Sequence, residues 1–461
     1  MGKIAFIILL TLIASTSLFA QDIKGTWSGD LNFGNNISMT LVIHIDGFSP
    51  ESVTLDSPDQ ATYGIKVDKA EFNEENFSIE INNLDAKLTC NTKPINDSLF
   101  CQFTQRGKTT PINMKRGYTP KPKKQDPKDF PYIVEEIDIH NPKTNITLSG
   151  TLTAPYDFKC DKVVILVSGS GAQNRDEEIL GHKPFLVLSD YLTRNGIAVI
   201  RYDDRGFGKS TGDFASATTY DFSLDAESVV EFINNDERLK GKKIGIIGHS
   251  EGGMIAPMIA ARNNNVDFIV MLAGPAVPIS ELMVKQNYDV YKASGASEEM
   301  AQMNAKYAEK MYKVMKSNKP IDVQKSEIVK IQIENLSKLP GNANNEEGVK
   351  EIAQSNVNML FLPWMYNFIR SNPQDNLSKV RIPVLALNGD KDVQVSCKEN
   401  LAGFEKCMKK AKNQNYKSIE LKGLNHLFQK CIFGSPNFYG KNEESFNEDA
   451  MKEIVEWINN L

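Results

Sequence analysis

Over the first quarter of the chain apolar and polar residues alternate. Segments such as Ile37–His44, Phe77–Ile81 and Leu99–Phe103 turn one face to a core and the other to water, and Asn, Gly, Asp and Pro residues separate them. A period of two over short runs predicts strands, so residues 21–117 are expected to form a small all-β domain. Cys90 and Cys101 fall in neighbouring predicted strands, which makes a cross-strand disulfide the expected pairing.

The pattern changes after a stretch rich in proline and lysine, Thr119 to Pro127 with Pro131 beyond it, which predicts an extended, solvated linker over 118–131. Wholly apolar runs follow at Val163–Val167, Ile197–Ile200, Ile244–Ile247, Phe268–Leu272 and Val384–Leu387. Between them lie helical faces, for example Phe222, Ala226, Val229, Val230 and Ile233. Continuous apolar strands alternating with amphipathic helices predict an α/β domain over 132–461, its mostly parallel sheet covered on both faces. From about 277 to 376 the alternation stops and helical spacing takes over, so a helical lid is expected between two strands of that sheet.

Lys3, the apolar run Ile4–Ile13 and the ending Leu18-Phe19-Ala20 have the order of a cleavable signal peptide, residues 1–20. A secreted or periplasmic protein is expected, with no integral membrane segment in the mature chain. Export changes how the cysteines are read, because an oxidising compartment permits disulfides. Cys160, Cys397, Cys407 and Cys431 lack C-x-x-C spacing and the histidines are scattered, so no metal is expected; pairing among these four stays open. The charge balance of 53 basic against 58 acidic residues carries no long run of one sign, which excludes a nucleic-acid partner.

The chemistry concentrates after the linker. Gly248-His249-Ser250-Glu251-Gly252-Gly253 follows a buried strand and opens an apolar helix, the order a nucleophile elbow requires. Gly248 and Gly252 suit positions where neighbouring backbone leaves no room for side chains. A nucleophilic serine needs a base, and of the five histidines only His426 follows a late predicted strand, Ser418–Leu421. For the acid, Leu387-Asn388-Gly389-Asp390-Lys391-Asp392 offers two aspartates, of which Asp392 is preferred and Asp390 is the alternative. The oxyanion donors are expected at the backbone N–H groups of Glu251 and of Ser170, in the glycine-rich loop Ser168–Gly171. Gly206-Phe207-Gly208-Lys209-Ser210 resembles the end of a phosphate loop, but Asp203 stands where the first glycine is required, so nucleotide binding is rejected. Phe361-Leu362-Pro363-Trp364-Met365 is the densest apolar string of the lid, and Trp364 and Phe361 are candidates for the substrate pocket.

Taken together, Ser168-Gly169-Ser170-Gly171 with Arg175-Asp176, Arg201-Tyr202-Asp203-Asp204-Arg205-Gly206, the elbow, and Gly389-Asp390-Lys391-Asp392 resemble the α/β-hydrolases of the secreted bacterial esterase and serine-aminopeptidase-like group. The opening Gly25-Thr26-Trp27-Ser28-Gly29 resembles the start of lipocalin-like β-barrels. The hydrolase resemblance implies a carboxylesterase-type serine hydrolase with a lid and no cofactor, acting on a small-molecule ester or peptide. The His-Gly-Gly-Gly string of many lipases is absent. An aminopeptidase or acyl-peptide hydrolase on the same triad is the alternative, and its amine-binding carboxylate would come from Glu251, Asp176, Glu177 or Glu178. A non-catalytic carbohydrate or peptide binder using the β-domain is the third reading, against which the complete triad argues.

Overall fold

In the computed structural model the described residues are 23–34, 37–58, 62–105, 108–118, 125–338 and 346–461. The expected signal peptide and linker residues 119–124 lie outside them. Two compact units are present, one ahead of the linker and one after it.

The first unit is a single antiparallel sheet of nine strands: β1 (Gly25–Gly34), β2 (Ile37–Ile45), β3 (Val53–Ser57), β4 (Thr62–Lys66), β5 (Lys69–Phe72), β6 (Asn76–Ile81), β7 (Ala86–Asn91), β8 (Ser98–Gln105) and β9 (Lys108–Arg116). Their spatial order is β4-β3-β2-β1-β9-β8-β7-β6-β5. Alternation does what the sequence implies, sending Trp27, Leu41, Ile43, Phe77, Leu88, Leu99 and Met114 into one buried cluster. β4 and β5 occupy opposite ends of the sheet, so the strands wrap their core as an open half-barrel. Cys90 and Cys101 lie directly opposite each other on β7 and β8 and form a disulfide. Cys160, Cys397, Cys407 and Cys431 are free thiols, so the pairing left open among them does not occur.

The second unit is built on eight strands: β10 (Ile133–Asn141), β11 (Ile146–Ala154), β12 (Lys162–Val167), β13 (Ala198–Tyr202), β14 (Lys243–His249), β15 (Phe268–Leu272), β16 (Val384–Gly389) and β17 (Tyr416–Leu421). The order is β10-β11-β13-β12-β14-β15-β16-β17, antiparallel at the β10-β11-β13 edge and parallel from β13 onward. Helices Pro184–Arg194 and Glu448–Asn459 bury Phe185, Leu188, Ile454 and Ile458 on one face. Helices Thr219–Asn235, Glu251–Ala260 and Cys397–Ala411 bury Ala226, Val230, Ile255 and Phe404 on the other. This is the α/β-hydrolase arrangement. Between β15 and β16, among the described residues, six helices from Ile279 to Leu377 form the lid, whose own core includes Met311, Met315, Ile328, Val357, Phe368 and Ile369. That core also takes in Met254 of the helix after β14, which seats the lid over that helix. Among the described residues no helix is long and apolar enough to cross a membrane.

Candidate active site

Parallel strands end at one edge of a sheet, and loops leaving that edge converge there. β12, β14, β16 and β17 run into the segments carrying Ser170, Ser250, Asp392 and His426. The sequence-predicted residues from distant parts of the chain are thereby brought to one edge.

Ser250 forms the sharp turn between β14 and helix Glu251–Ala260, with φ +52° and ψ −116°, a conformation strained for any residue with a side chain. The glycines explain how the turn is tolerated. A Cβ on Gly248 would stand 2.0 Å from the Gly252 carbonyl oxygen, and one on Gly252 would stand 2.1 Å from the Val167 oxygen. Strand, turn and helix therefore pack closer than side chains permit, and the serine is held at the top of the turn, partly exposed. The loop after β12 lies beside it, since a Cβ on Gly169 would be 3.1 Å from Ser250 Cβ.

His426 and Asp392 meet. His426 Nδ1 donates to Asp392 Oδ2 at 2.8 Å, and both side chains are buried. The other carboxylate oxygen accepts from the backbone N–H groups of Gln394 at 2.8 Å and Val395 at 2.9 Å, so the aspartate cannot rotate away. Asp390 is turned elsewhere: its Oδ1 accepts from Gly423 N–H at 2.7 Å and Lys422 lies 3.7 Å from Oδ2. It ties the β16 and β17 loops together.

Glu251, whose backbone N–H opens the helix, has a fully buried carboxyl. It accepts from Thr219 Oγ1 at 2.6 Å and from the Trp364 indole N–H at 2.9 and 3.1 Å. Burial raises its pKa above the usual carboxylate range, against the lowering effect of hydrogen bonds from Thr219, Trp364 and the Ser170 side chain. Trp364 thus reaches the elbow from the lid. The Phe361 ring stacks on Tyr366 at 5.2 Å, within the lid.

The acidic residues weighed as amine anchors are engaged with the protein itself. Asp176 pairs with Arg201, Glu177 with His249 at 2.7 Å, and Glu251 is enclosed as described. Glu178 takes a hydrogen bond from Asn174 at 3.2 Å and has Lys183 4.0 Å away. Arg175 clamps the same loop to the sheet, with Nε 3.1 Å and Nη2 2.9 Å from the Asp203 carboxylate and Nη1 2.7 Å from Glu136. Behind the loop Asp204 accepts from Gln173 N–H at 2.9 Å and Ser168 Oγ at 3.1 Å. Burial, reinforced by the charges of Glu251 and Glu177, pushes its pKa up to about 8. Sequence reasoning missed these supporting roles because they depend on partners brought in by the fold. The only signal was the density of charge directly after a buried strand. Among the described residues no group of His, Cys, Asp and Glu side chains could hold a metal ion.

Residues 183–429, more than half of the chain, match the family model described as serine aminopeptidase, S33. Esterase EstD of Thermotoga maritima is 34% identical over 161 residues, 35% of this chain and 36% of that protein. Protein bem46 of Schizosaccharomyces pombe is 24% identical over 158 residues, 34% of this chain and 49% of that protein. The chain therefore spans less than half the length of these relatives. Among solved structures, the Pyrococcus furiosus esterase Pf2001 aligns over 75% of this chain and 94% of its own, at 16% identity and a TM-score of 0.43. Est1E from Butyrivibrio proteoclasticus aligns over 70% of this chain and 99% of its own, at 15% identity and a TM-score of 0.38.

Proposed function

From the premise that the chain belongs to the serine aminopeptidase S33 family of α/β-hydrolases, we propose that it hydrolyses short-chain or aryl carboxylic esters through an acyl-enzyme on Ser250. The observation that most directly supports this reading is the 2.8 Å hydrogen bond from His426 Nδ1 to Asp392 on the same sheet edge as the strained Ser250 turn. With its Nδ1 proton committed to Asp392, His426 presents the Nε2 lone pair as base. It takes the Ser250 proton as Oγ attacks the acyl carbon, and it returns that proton to the departing alkoxide. The N–H groups of Glu251 and Ser170 hold the oxyanion, the first fixed by the helix start and the second by the loop beside it. Water then enters by the same route in reverse, releasing the acid and freeing Ser250.

The aminopeptidase alternative needs an unengaged carboxylate for the substrate amine. Three of its four candidates are taken by Arg201, His249 or the Thr219–Trp364 pair, which favours an ester without a free amine. Export to an oxidising compartment is part of the same proposal and draws support from the Cys90–Cys101 disulfide. Turnover of a short aryl ester is expected to exceed that of an aminoacyl anilide, and Ser250→Ala is expected to lower ester turnover by about a millionfold with the melting temperature unchanged. Near-normal ester turnover in that variant defeats the assignment, and anilide cleavage as fast as ester cleavage reverses the choice of substrate.

A further inference from the structure

Two buried side chains play no part in the proposed chemistry yet touch three pieces of it. Glu177 is 3% exposed and sits in the loop after β12 with a left-handed backbone, φ +51°. Its Oε1 accepts from the Gly169 N–H at 2.8 Å and from His249 Nδ1 at 2.7 Å. On the far edge of the imidazole, His249 Nε2 lies 2.8 Å from the carbonyl oxygen of His426. The two histidine rings have centroids 4.8 Å apart.

A carbonyl oxygen and a carboxylate can only accept, so both ring nitrogens of His249 donate and the ring is an imidazolium. Burial by itself lowers the His249 pKa. The charge and hydrogen bond of Glu177, with the His426 carbonyl, outweigh it and raise the value above that of an ordinary histidine.

Resting on the reading of Ser250, His426 and Asp392 as the triad, we propose that Glu177 and His249 are a positioning ion pair that locks the oxyanion loop to the loop of His426. The locking follows from connectivity. Gly169 directly precedes Ser170, His249 directly precedes Ser250, and the carbonyl bound by His249 belongs to His426 itself. One carboxylate oxygen and one ring thus set the spacing of oxyanion donor, nucleophile and base.

The test uses the full-length protein and a short aryl ester, with kcat and KM measured for Glu177→Gln, His249→Gln, the double variant and Ser250→Ala. Each single variant should lower kcat about ten- to a hundredfold, the scale of a lost charge-assisted hydrogen bond, with KM within about twofold. Because the residues act as a unit, the double variant should be no slower than the slower single. A loss carried by KM, or single losses that multiply in the double variant, would each overturn the proposal. Should a single variant fail to fold, the double variant, which strands no charge, is read by the same split between kcat and KM. Ester turnover surviving Ser250→Ala removes the triad premise instead, so the two failures are distinguishable.

Discussion

Asp390 and Asp392 are two positions apart and chemically identical, yet only one has its carboxylate on the imidazole. Asp392→Asn should cost about ten-thousandfold in kcat, because an amide at that site leaves His426 in the wrong tautomer, whereas Asp390→Asn should lose a loop tie and little turnover. Steady-state kinetics on both variants checks this, and equal losses would refute it. Asp204 makes a different prediction. Its folded pKa of about 8 lies above its unfolded value near ~4, so the folded chain holds this proton more tightly. The resulting stability is fully present below about pH 4 and is lost as pH rises through about 8, at up to ~1.4 kcal/mol per pH unit within that window. Asp204→Asn, which carries no such proton, should show a smaller fall in melting temperature between about pH 6 and pH 8 than the parent protein.

At the scale of elements, the lid and the elbow helix share a hydrogen bond. The string around Trp364 is apolar by sequence and belongs with the lid core, where Trp364 stacks on Phe368 at 5.1 Å. Its indole N–H nevertheless binds the carboxyl of Glu251, the residue after Ser250. Trp364→Phe keeps an aromatic ring and removes the N–H donor, so the buried carboxyl loses one partner. Turnover of a short ester is expected to fall about tenfold, the scale of a hydrogen bond to a charged acceptor. Glu251→Gln combined with Trp364→Phe should lose less than the product of the single effects, measured as a double-mutant cycle. The sequence places a dense apolar string in the lid and an acid after Ser250. Nothing local indicates that they meet, because 113 residues separate them.

At the scale of the molecule, every proposed catalytic residue lies in the unit after the linker, which has its own two-sided core. The linker's last residues belong to that unit as well. Gln125 Oε1 accepts from the N–H groups of Ser445 at 2.6 Å and Phe446 at 3.0 Å, and its amide donates to the Phe446 carbonyl at 2.7 Å. Arg194 binds Asp129 in the same way, at 3.1 Å. A chain beginning at Gln125 should therefore fold and cleave a small ester, and should melt about 2–6 °C above one beginning at Tyr132. Thermal unfolding of the two truncated chains decides it, and coincident melting curves would be the contrary result. Sequence alone determined what depends on neighbours in the chain: the periods of two and of 3.6 that separate β-domain from α/β-domain, the glycine-flanked Ser250 turn, and the order serine, acid, histidine. Local sterics and hydrophobic burial act over a few residues and leave their mark in a short window. Tertiary structure decided what depends on which loop end meets which. It turned Asp392 rather than Asp390 to His426 and directed Trp364 onto Glu251. It also converted Glu177 from a candidate amine anchor into the partner of a buried histidine. A buried polar group must be satisfied by whatever the fold places beside it, and that partner is fixed by the crossing of strands distant in sequence.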